Sequence, residues 1–438
     1  MSELRWLWAR LTGNYWFFPT LFAILAAALA LGMVALDQAG MAEWLNEQEV
    51  IIPARPDGAS NMLSVIASSM IGVAGTVFSI TIAAVAYASG NYGPRLLTNF
   101  MQDRGNQLSL ATFIGTFVYA LIVLRAVRAE NEATANAKDA AATALPGFVP
   151  QLSLLVAFGL MALSVGVLVY FLNHIPDSIR INTVLRGIGQ SLLDDIAELF
   201  PQTGGGEEPR DRREGVPVRA ESAGYIQFID FDDLADAAEA QDCCLLLQVR
   251  TGDFIHAGMV LARVVDAEAD DRLADAVRDA VTVGSARTPE QDPQFLIDEL
   301  VEIGLRALSP GINDPFTAIT ALHWLGAATA ELARRDLRKG AAAGKAAEGR
   351  VIPLADDFAH YLARGFGVMR SAVATSRPAA MVMLDSLRHA AGAIDDEHRA
   401  GLLQREGERL LEQARLALDG PDLQELEARH ALFARALG

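Results

Sequence analysis

The sequence predicts an α-helical membrane domain followed by a cytoplasmic α+β region, in which a small lipoyl- or hammerhead-like β-barrel precedes a helical bundle. Charge is distributed unevenly: residues 1–173 hold 8 basic and 10 acidic side chains, whereas residues 174–438 hold 28 and 44. The first part contains long uncharged apolar stretches, and the second contains strand-like and then helix-like patterns. A lipid-embedded part joined to a water-facing part explains all three observations.

Four stretches are long enough to cross a hydrocarbon core, which requires about 20 apolar residues. They cover residues 16–36, 62–88, 108–124 and 151–172. The first stretch is longer than the apolar part of a secretory signal and lacks a small-residue cleavage pattern, so we expect it to be retained. The four stretches contain no Asp, Glu, Lys, Arg or His, which argues against an ion-coupled pump.

The charges in the loops predict the orientation. Basic residues precede the first span and follow the second and fourth: Arg5, Arg10, Arg95, Arg104, Arg180 and Arg186. Acidic residues dominate the loop 37–60: Asp37, Glu43, Glu47, Glu49 and Asp57. Because basic loops stay on the cytoplasmic side, we expect a multi-pass protein of a bacterial inner membrane with both termini in the cytoplasm.

The second span carries a stripe of small and hydroxyl residues, which we call the α2 stripe. Its members recur every three to four residues: Ser64, Ser68, Gly72, Gly75, Thr76 and Ser79. Such a stripe favours close packing of helices, because small residues let two backbones approach. The alternative is that it lines a polar pathway through the membrane.

The C-terminal half is expected to contain four segments. They are a connecting helix (174–200), a Gly/Pro/charge linker (201–218), a β-barrel-like domain (219–266) and a helical domain (267–438). The barrel prediction comes from strand-like runs at 225–229 and 245–249 and from two glycine turns six residues apart. A biotinyl or lipoyl carrier role is excluded because this region contains no lysine. We interpret the adjacent Cys243 and Cys244 as reduced and buried.

A polar elbow between two predicted helices is the second candidate site. Its residues are Asp292, Glu299, Arg306, Ser309, Asn313 and Asp314. The favoured interpretation is a helix cap, given by Asn313 or Asp314, together with a buried Arg–carboxylate pair. The alternative is a ligand or metal site built from Asp292, Glu299, Asn313 and Asp314. The sequence contains no zinc spacing, phosphate loop or nucleophile elbow, so we assign no catalytic residue, metal or cofactor.

Several runs resemble a family of predicted bacterial membrane proteins that is defined by a domain of unknown function (domain of unknown function 2254). They are GVAGTVFSITIAAVAYASGNYGPRLLTNFMQDRGNQ at 72–107, GYIQFID at 224–230, the GDF turn, and the run at 287–318 that contains SPGINDP. The resemblance extends over nearly the whole chain. It implies a membrane architecture, and it supplies no activity and no site residues.

Three functions are compatible with these patterns. The favoured one is a homo-oligomeric channel-like or transporter-like protein whose cytoplasmic half serves assembly and gating. The second is a non-conducting membrane-anchored scaffold or sensor, and the third is an enzyme at the membrane surface. We expect the partners to be the lipid bilayer, further copies of the chain, and a cytoplasmic protein or a cation. Nucleic acid is excluded because the chain is acidic, with a net charge of −18.

Overall fold

The computed structural model of the chain describes residues 14–41, 55–93, 103–128, 148–200, 214–289, 291–337, 349–354, 357–392, 394 and 396–437. The chain forms two compact units, Met1–Arg180 and Ile181–Gly438. We call the first the membrane unit and the second the C-terminal unit.

Four long helices form the described part of the membrane unit. They are α1 (Phe17–Gln38), α2 (Pro56–Tyr92), α3 (Arg104–Ala126) and α4 (Gln151–Ser178). Each is long and apolar enough to cross a membrane. The prediction of a helical membrane class with four spans is confirmed at this level.

The predicted apolar stretches are shorter than the helices, because polar residues form additional helical residues at the ends. α2 has 37 residues, which gives about 56 Å at 1.5 Å per residue, well beyond a hydrocarbon core of about 30 Å. It begins at Pro56, a residue suited to the first turn because the first N–H groups of a helix have no partner within it. α3 begins after Asp103, whose carboxylate accepts a hydrogen bond from the Asn106 N–H at 3.1 Å.

The central helix of the membrane unit is α3, which packs against α1, α2 and α4. Its fully buried side chains include Phe113, Tyr119 and Val123. At Gly115 a Cβ would lie 3.4 Å from the Phe22 carbonyl oxygen of α1, so the small residue lets these two helices approach closely. The interior of this bundle is therefore held mainly by apolar packing.

Some residues used in the sequence analysis lie outside the described residues. They are Arg5, Arg10, Glu43, Glu47, Glu49, Arg95 and residues 201–213 of the predicted linker.

The C-terminal unit begins with α5 (Ile181–Leu199). Because α4 ends at Ser178, the helix predicted over 174–200 is interrupted at residues 179–180. One face of α5 is buried through Leu185, Ile188, Leu192 and Ile196. A Cβ at Gly189 would overlap the Trp324 indole, so glycine is required for this close approach.

Seven short strands in the described part of this unit form two small sheets. The strands are β1 (Val216–Arg219), β2 (Gly224–Ile229), β3 (Cys244–Leu247), β4 (Phe254–Ile255), β5 (Val260–Val265), β6 (Val281–Gly284) and β7 (Val351–Ile352). The first sheet has the order β1–β5–β3–β7 and the second β4–β2–β6. Neighbouring strands are antiparallel except β3 and β7, which run parallel.

The two sheets share one apolar core with α6 (Phe231–Ala240) and α7 (Asp271–Asp279). The described strands do not show the closed lipoyl- or hammerhead-like barrel predicted over 219–266. The prediction rested on local turn spacing, whereas β6 and β7 lie beyond residue 266 and supply outer strands to the two sheets. No pattern within 219–266 reveals these distant partners.

The rest of the C-terminal unit is helical. Its elements are α8 (Pro293–Ala307), α9 (Pro315–Ala333), α10 (Phe358–Leu362), a π-helical turn (Ala363–Gly367), α11 (Val368–Val373), α12 (Arg377–Ala391), α13 (Glu397–Ala414) and α14 (Gly420–Leu437). Their buried side chains include Leu322, Leu325, Met369, Leu384, Leu387 and Leu403.

Two buried arginines hold the ends of helices in this unit. The Nη1 group of Arg399, a residue of α13 that is 1% exposed, donates to three carbonyl oxygens at the end of α9. These oxygens belong to Leu332, Ala333 and Arg335, at 3.3, 3.0 and 2.9 Å. Arg335 in turn donates to the carbonyls of Ala197 and Phe200 at the end of α5. Because the last carbonyls of a helix lack partners within it, each guanidinium satisfies groups that would otherwise be costly to bury.

Candidate functional site

The α2 stripe lies on the outer face of its helix. All six residues, Ser64, Ser68, Gly72, Gly75, Thr76 and Ser79, are exposed in the single chain. The opposite face is buried through Leu63, Ile66, Met70, Ala74 and Val77. A Cβ at Gly72 or Gly75 would meet no atom within 4 Å. The structure thus places the six predicted residues together on one face, and that face is open to lipid or to another molecule.

Three hydroxyl groups of the α2 stripe donate to their own helix. Ser68 Oγ lies 2.6 Å from the Ser64 carbonyl oxygen, Thr76 Oγ1 lies 3.0 Å from that of Gly72, and Ser79 Oγ lies 2.9 Å from that of Gly75. Each of these three donors is therefore satisfied within the helix, as is common for Ser and Thr in transmembrane helices. The oxygen lone pairs remain on the outer face, where they can accept hydrogen bonds or contact a cation.

Hydroxyl groups also meet in the middle of the bundle. Thr116 Oγ1 of α3 lies 2.9 Å from Ser164 Oγ of α4. Each hydroxyl also lies within hydrogen-bond distance of a carbonyl oxygen one turn earlier in its own helix. These distances are 2.9 Å from Thr116 to Thr112 and 2.8 Å from Ser164 to Leu160. This pair links two helices and lies among buried apolar side chains, as expected for interhelical hydrogen bonding in a membrane protein.

A carboxylate at the end of α1 holds the start of α4. Asp37, which is 6% exposed, accepts hydrogen bonds from the N–H groups of Leu152 and Ser153 at 3.0 and 2.9 Å. Its Oδ2 also accepts from Ser153 Oγ at 2.7 Å. Tyr119 of α3 donates to the Ser153 carbonyl oxygen at 3.1 Å. This end of the bundle is thus joined by a helix cap supplied by a different helix.

The other end of α4 is joined to the start of α3 by a hydrogen-bonding contact between a histidine and a carboxylate. His174 Nε2 lies 2.9 and 3.0 Å from the two carboxylate oxygens of Asp103, and its ring stacks on Tyr170 at 5.1 Å. A Cβ at Gly105 would lie 2.6 Å from His174 Nε2 and 2.7 Å from the Tyr170 hydroxyl. Gly105 therefore permits the close contact between α3 and α4 at this end.

The structure separates the residues of the predicted polar elbow. Asp314 is the N-cap of α9, since its carboxylate accepts from the Thr317 N–H at 3.2 Å and from the Thr317 hydroxyl at 2.6 Å. Asn313 adopts a left-handed backbone with φ of +52°, a conformation that asparagine tolerates well. Ser309 Oγ donates to the Arg306 carbonyl oxygen at 2.6 Å. These contacts form a rigid helix–turn–helix corner.

Asp292 lies at the opposite end of α8 from this corner. A helix of 15 residues is about 22 Å long, so Asp292 and Asp314 do not share one site. Glu299 is buried on α8 between them. The six residues predicted as one polar cluster therefore divide between the two ends and the middle of α8.

Asp292 belongs to a charged network that the sequence analysis did not identify. Arg287 lies 2.5 Å from Asp292 and 2.5 Å from Asp298, and Arg364 donates to both oxygens of Asp298 at 2.7 and 2.6 Å. Arg364 sits in the π-helical turn, an element often found at functional sites. Gly252 has a φ of +89°, and a Cβ there would overlap the Asp292 carboxylate.

The charges of this network shift the ionisation of its members. Burial disfavours the charged Asp298 carboxylate, but hydrogen bonds and charges from Arg364 and Arg287 outweigh burial and lower its pKa. The neighbouring His360 has a lowered pKa because burial, and then the positive charges of Arg250 and Arg364, disfavour the imidazolium. The arginines and carboxylates of the network pair with each other, which makes it a structural connection between the strand region and α8.

Some of the missed contacts had a local signal and others had none. Arg287 lies five residues before Asp292 and eleven before Asp298, so a local charge pattern could have suggested this pairing. The contacts of Asp298 with Arg364 and of Asp37 with Ser153 join residues 66 and 116 positions apart. Within the described residues, no group of three or more His, Cys, Asp or Glu side chains could hold a metal ion.

Comparison with known proteins identifies relatives. A family model described as "Predicted membrane protein (DUF2254)" matches residues 12–389. Uncharacterized proteins of Mycobacterium bovis and of Mycobacterium tuberculosis strain H37Rv are each 31% identical over 341 residues. The alignments cover 75% of this chain and 62% of each relative, so the chain spans less than two thirds of their length. No solved structure matches the chain.

The family match includes the α2 stripe, the charged network at α8 and the SPGINDP corner. It agrees with the four helices that are long and apolar enough to cross a membrane, and with the family that the sequence resembles. The chain belongs to the family of predicted membrane proteins described as DUF2254.

Proposed function

We propose that the protein is a homo-oligomeric, channel-like or transporter-like membrane protein in which the α2 stripe lies between copies. The exposure of all six stripe residues on the outer face of α2 carries this proposal. Small residues on a membrane helix favour contact with another helix, because they let the two backbones approach closely. Since α2 packs its other face inward, the partner of this face would come from a second copy.

The apolar packing inside a single chain favours a pathway between copies over a pathway within one chain. A conduit along α3 would have to pass Phe113, Tyr119 and Val123, each of which is fully buried among apolar neighbours. The α2 stripe instead presents hydroxyl oxygens and bare glycine backbone over about four helical turns, from Ser64 to Ser79. Oxygen atoms of this kind can replace part of the hydration shell of an ion.

A non-conducting assembly, as in a scaffold or sensor, is the second candidate. The hydroxyl donors of Ser68, Thr76 and Ser79 are satisfied within their own helix, so the stripe can pack dry against another copy. In this case the oligomer would serve to bring several C-terminal units together.

The same proposal includes an orientation and a place in the cell. The positive-inside pattern of the loops supports a bacterial inner membrane with both termini in the cytoplasm. The C-terminal unit would then act in the cytoplasm as the assembly or gating part of the oligomer.

The test uses the full chain, purified in detergent and reconstituted into liposomes. The number of subunits is measured by native mass spectrometry, and ion flux by dye-reported K⁺ release. We expect an oligomer with flux, and we expect a variant with Ser68→Leu, Gly75→Leu and Ser79→Leu to lose flux while it keeps its helix content and melting temperature. A matched control places three leucines at exposed small positions of α4: Gly159→Leu, Ala162→Leu and Gly166→Leu.

Each result decides between the candidates. An oligomer that never conducts, but that dissociates in the α2 variant, supports the non-conducting assembly. Equal effects of the α2 and α4 variants would contradict the assignment of the contact to α2. A monomeric wild type would exclude both candidates.

A further inference from the structure

A cleft of about 480 Å³ opens in the strand region of the C-terminal unit. Residues of both sheets and of α7 line it. Its floor is apolar and consists of Ile255, Leu261, Val281 and Val283. The volume lies within the range of about 300–1,000 Å³ that is typical of small-molecule sites.

Arg278 of α7 organises the rim of this cleft. Its guanidinium lies 2.7 Å from the Asp275 carboxylate and 3.3 Å from that of Glu221, and its Nε donates to the Arg219 carbonyl oxygen at 3.1 Å. All three guanidinium nitrogens are thus engaged within the protein. Arg278 thereby holds two carboxylates beside the apolar floor.

The charge of the rim is negative. Asp279 also lines the cleft, so the lining residues carry three carboxylates and one guanidinium, a net of two negative charges. The side chains of Glu221 and Asp275 are 73% and 70% exposed, which keeps the mouth of the cleft open to solvent. A ligand with a positive charge would be attracted here, and an anion of the same shape would be repelled.

We propose that this cleft binds a small organic cation, with an apolar body on the floor and an ammonium or guanidinium group at the acidic rim. The apolar floor favours the body by removing its surface from water. The acidic rim favours ligands that carry a positive charge. This inference is independent of the α2 stripe and of oligomerisation, so it stands or fails separately from the proposed function.

The test measures binding of three probes that share one apolar body and differ in charge. They are 1-naphthylmethylamine, 1-naphthylmethanol and the carboxylate 1-naphthaleneacetate. Each is quantified by naphthalene fluorescence after equilibrium dialysis against the full chain in detergent. Empty micelles provide the background. We expect saturable binding of one amine per chain, on the order of tenfold tighter than binding of the carboxylate, with an affinity that falls as salt is added.

Two variants locate the site. Asp279→Lys should weaken amine binding on the order of tenfold and strengthen binding of the carboxylate, because it removes the net negative charge of the rim. Asp271→Lys makes the same change at an exposed position of α7 that does not line the cleft, and it should leave binding unchanged. Ser222→Trp, at the exposed mouth, should block all three probes. Amine binding no greater than that of empty micelles, or equal effects of the two lysine variants at unchanged melting temperature, would overturn the proposal.

Discussion

The two units of this protein place their charged side chains in different ways. In the membrane unit, Asp37 and Asp103 lie at helix ends, where they accept hydrogen bonds from the first N–H groups of α4 and α3. In the C-terminal unit, charges are buried along helices and paired there, as in the contact of Arg370 with Glu406 at 2.7 Å. A bilayer tolerates ionisable groups mainly at its boundaries, whereas a water-facing domain can bury them if each has partners.

This difference has a consequence for stability. In the part that the structure describes, the membrane unit combines apolar packing with polar contacts at the ends of its helices and one hydroxyl pair in the middle of the bundle. The C-terminal unit distributes its polar contacts over several helices and turns. Four substitutions or conditions, ordered from the largest expected effect to the smallest, test this contrast.

Replacing Arg399 should have the largest effect. Arg399→Met keeps much of the length of the side chain but leaves three carbonyl oxygens at the end of α9 without this donor. We expect a loss of about 3 kcal/mol in the free energy of unfolding, measured by urea denaturation of the full chain in detergent. Arg409→Met, on the same helix but 60% exposed, is the control. An equally small effect of both changes would contradict the structural role of the buried arginine.

Removing the carboxylate of Asp37 tests the membrane unit. Asp37→Ala leaves the N–H groups of Leu152 and Ser153 without their acceptor at the start of α4, which should lower stability by about 2 kcal/mol. The measurement is thermal unfolding in detergent. Asp57→Ala, at an exposed position in the first turn of α2, should change stability by less than about 0.5 kcal/mol. If both variants melt at the same temperature, the cap does not hold α1 to α4.

A pair of glycines separates backbone strain from packing in the charged network. Gly252 and Gly258 have almost the same φ, +89° and +91°, but only Gly252 has Asp292 against it. Alanine at either position should cost about 1 kcal/mol in strain, and Gly252→Ala about 1 kcal/mol more because of overlap. Denaturation midpoints of the two variants give the difference. Equal midpoints would mean that the turn does not pack tightly on the network.

The smallest effect concerns acid. The pKa of Asp298 is lower in the folded chain than its usual value of 3.8, so its ion pairs stabilise the fold above that pH and are lost as pH falls through the folded pKa. Asp298→Asn should therefore flatten the decline in melting temperature below about pH 4. His360 has the same sign in a higher range, because its pKa is lowered from 6.5. His360→Gln should flatten the decline that begins below about pH 6.5 while it leaves the lower one intact.

Features that depend on short stretches of sequence could be predicted. The four long apolar helices follow from apolar length alone, and the cap of α9 follows from Asp314 and Thr317, three residues apart. The spacing of the α2 stripe predicts one helical face, but periodicity does not reveal whether that face turns inward or outward. Its exposure became visible only when the buried side of α2 was known.

Features that depend on distant residues could not be predicted. β7 pairs with β3 from more than one hundred positions away, and Arg399 reaches carbonyls at the end of α9. Neither contact has a periodic or spacing signal, because each is set by how whole helices and sheets pack. The same reason explains why six nearby polar residues suggested one site, although α8 separates them.

The two native cysteines make the chain convenient for chemical labelling. Cys243 and Cys244 are buried and form no disulfide, and burial together with the neighbouring Cys244 raises the pKa of the Cys243 thiol. Since the thiolate is the reactive form, Cys243 should react slowly with polar maleimides, and burial shields both sulfur atoms from such reagents. A single cysteine introduced at any turn of the outer face of α2 would then react first in the otherwise unmodified chain, so the surroundings of that face can be mapped turn by turn in native membranes.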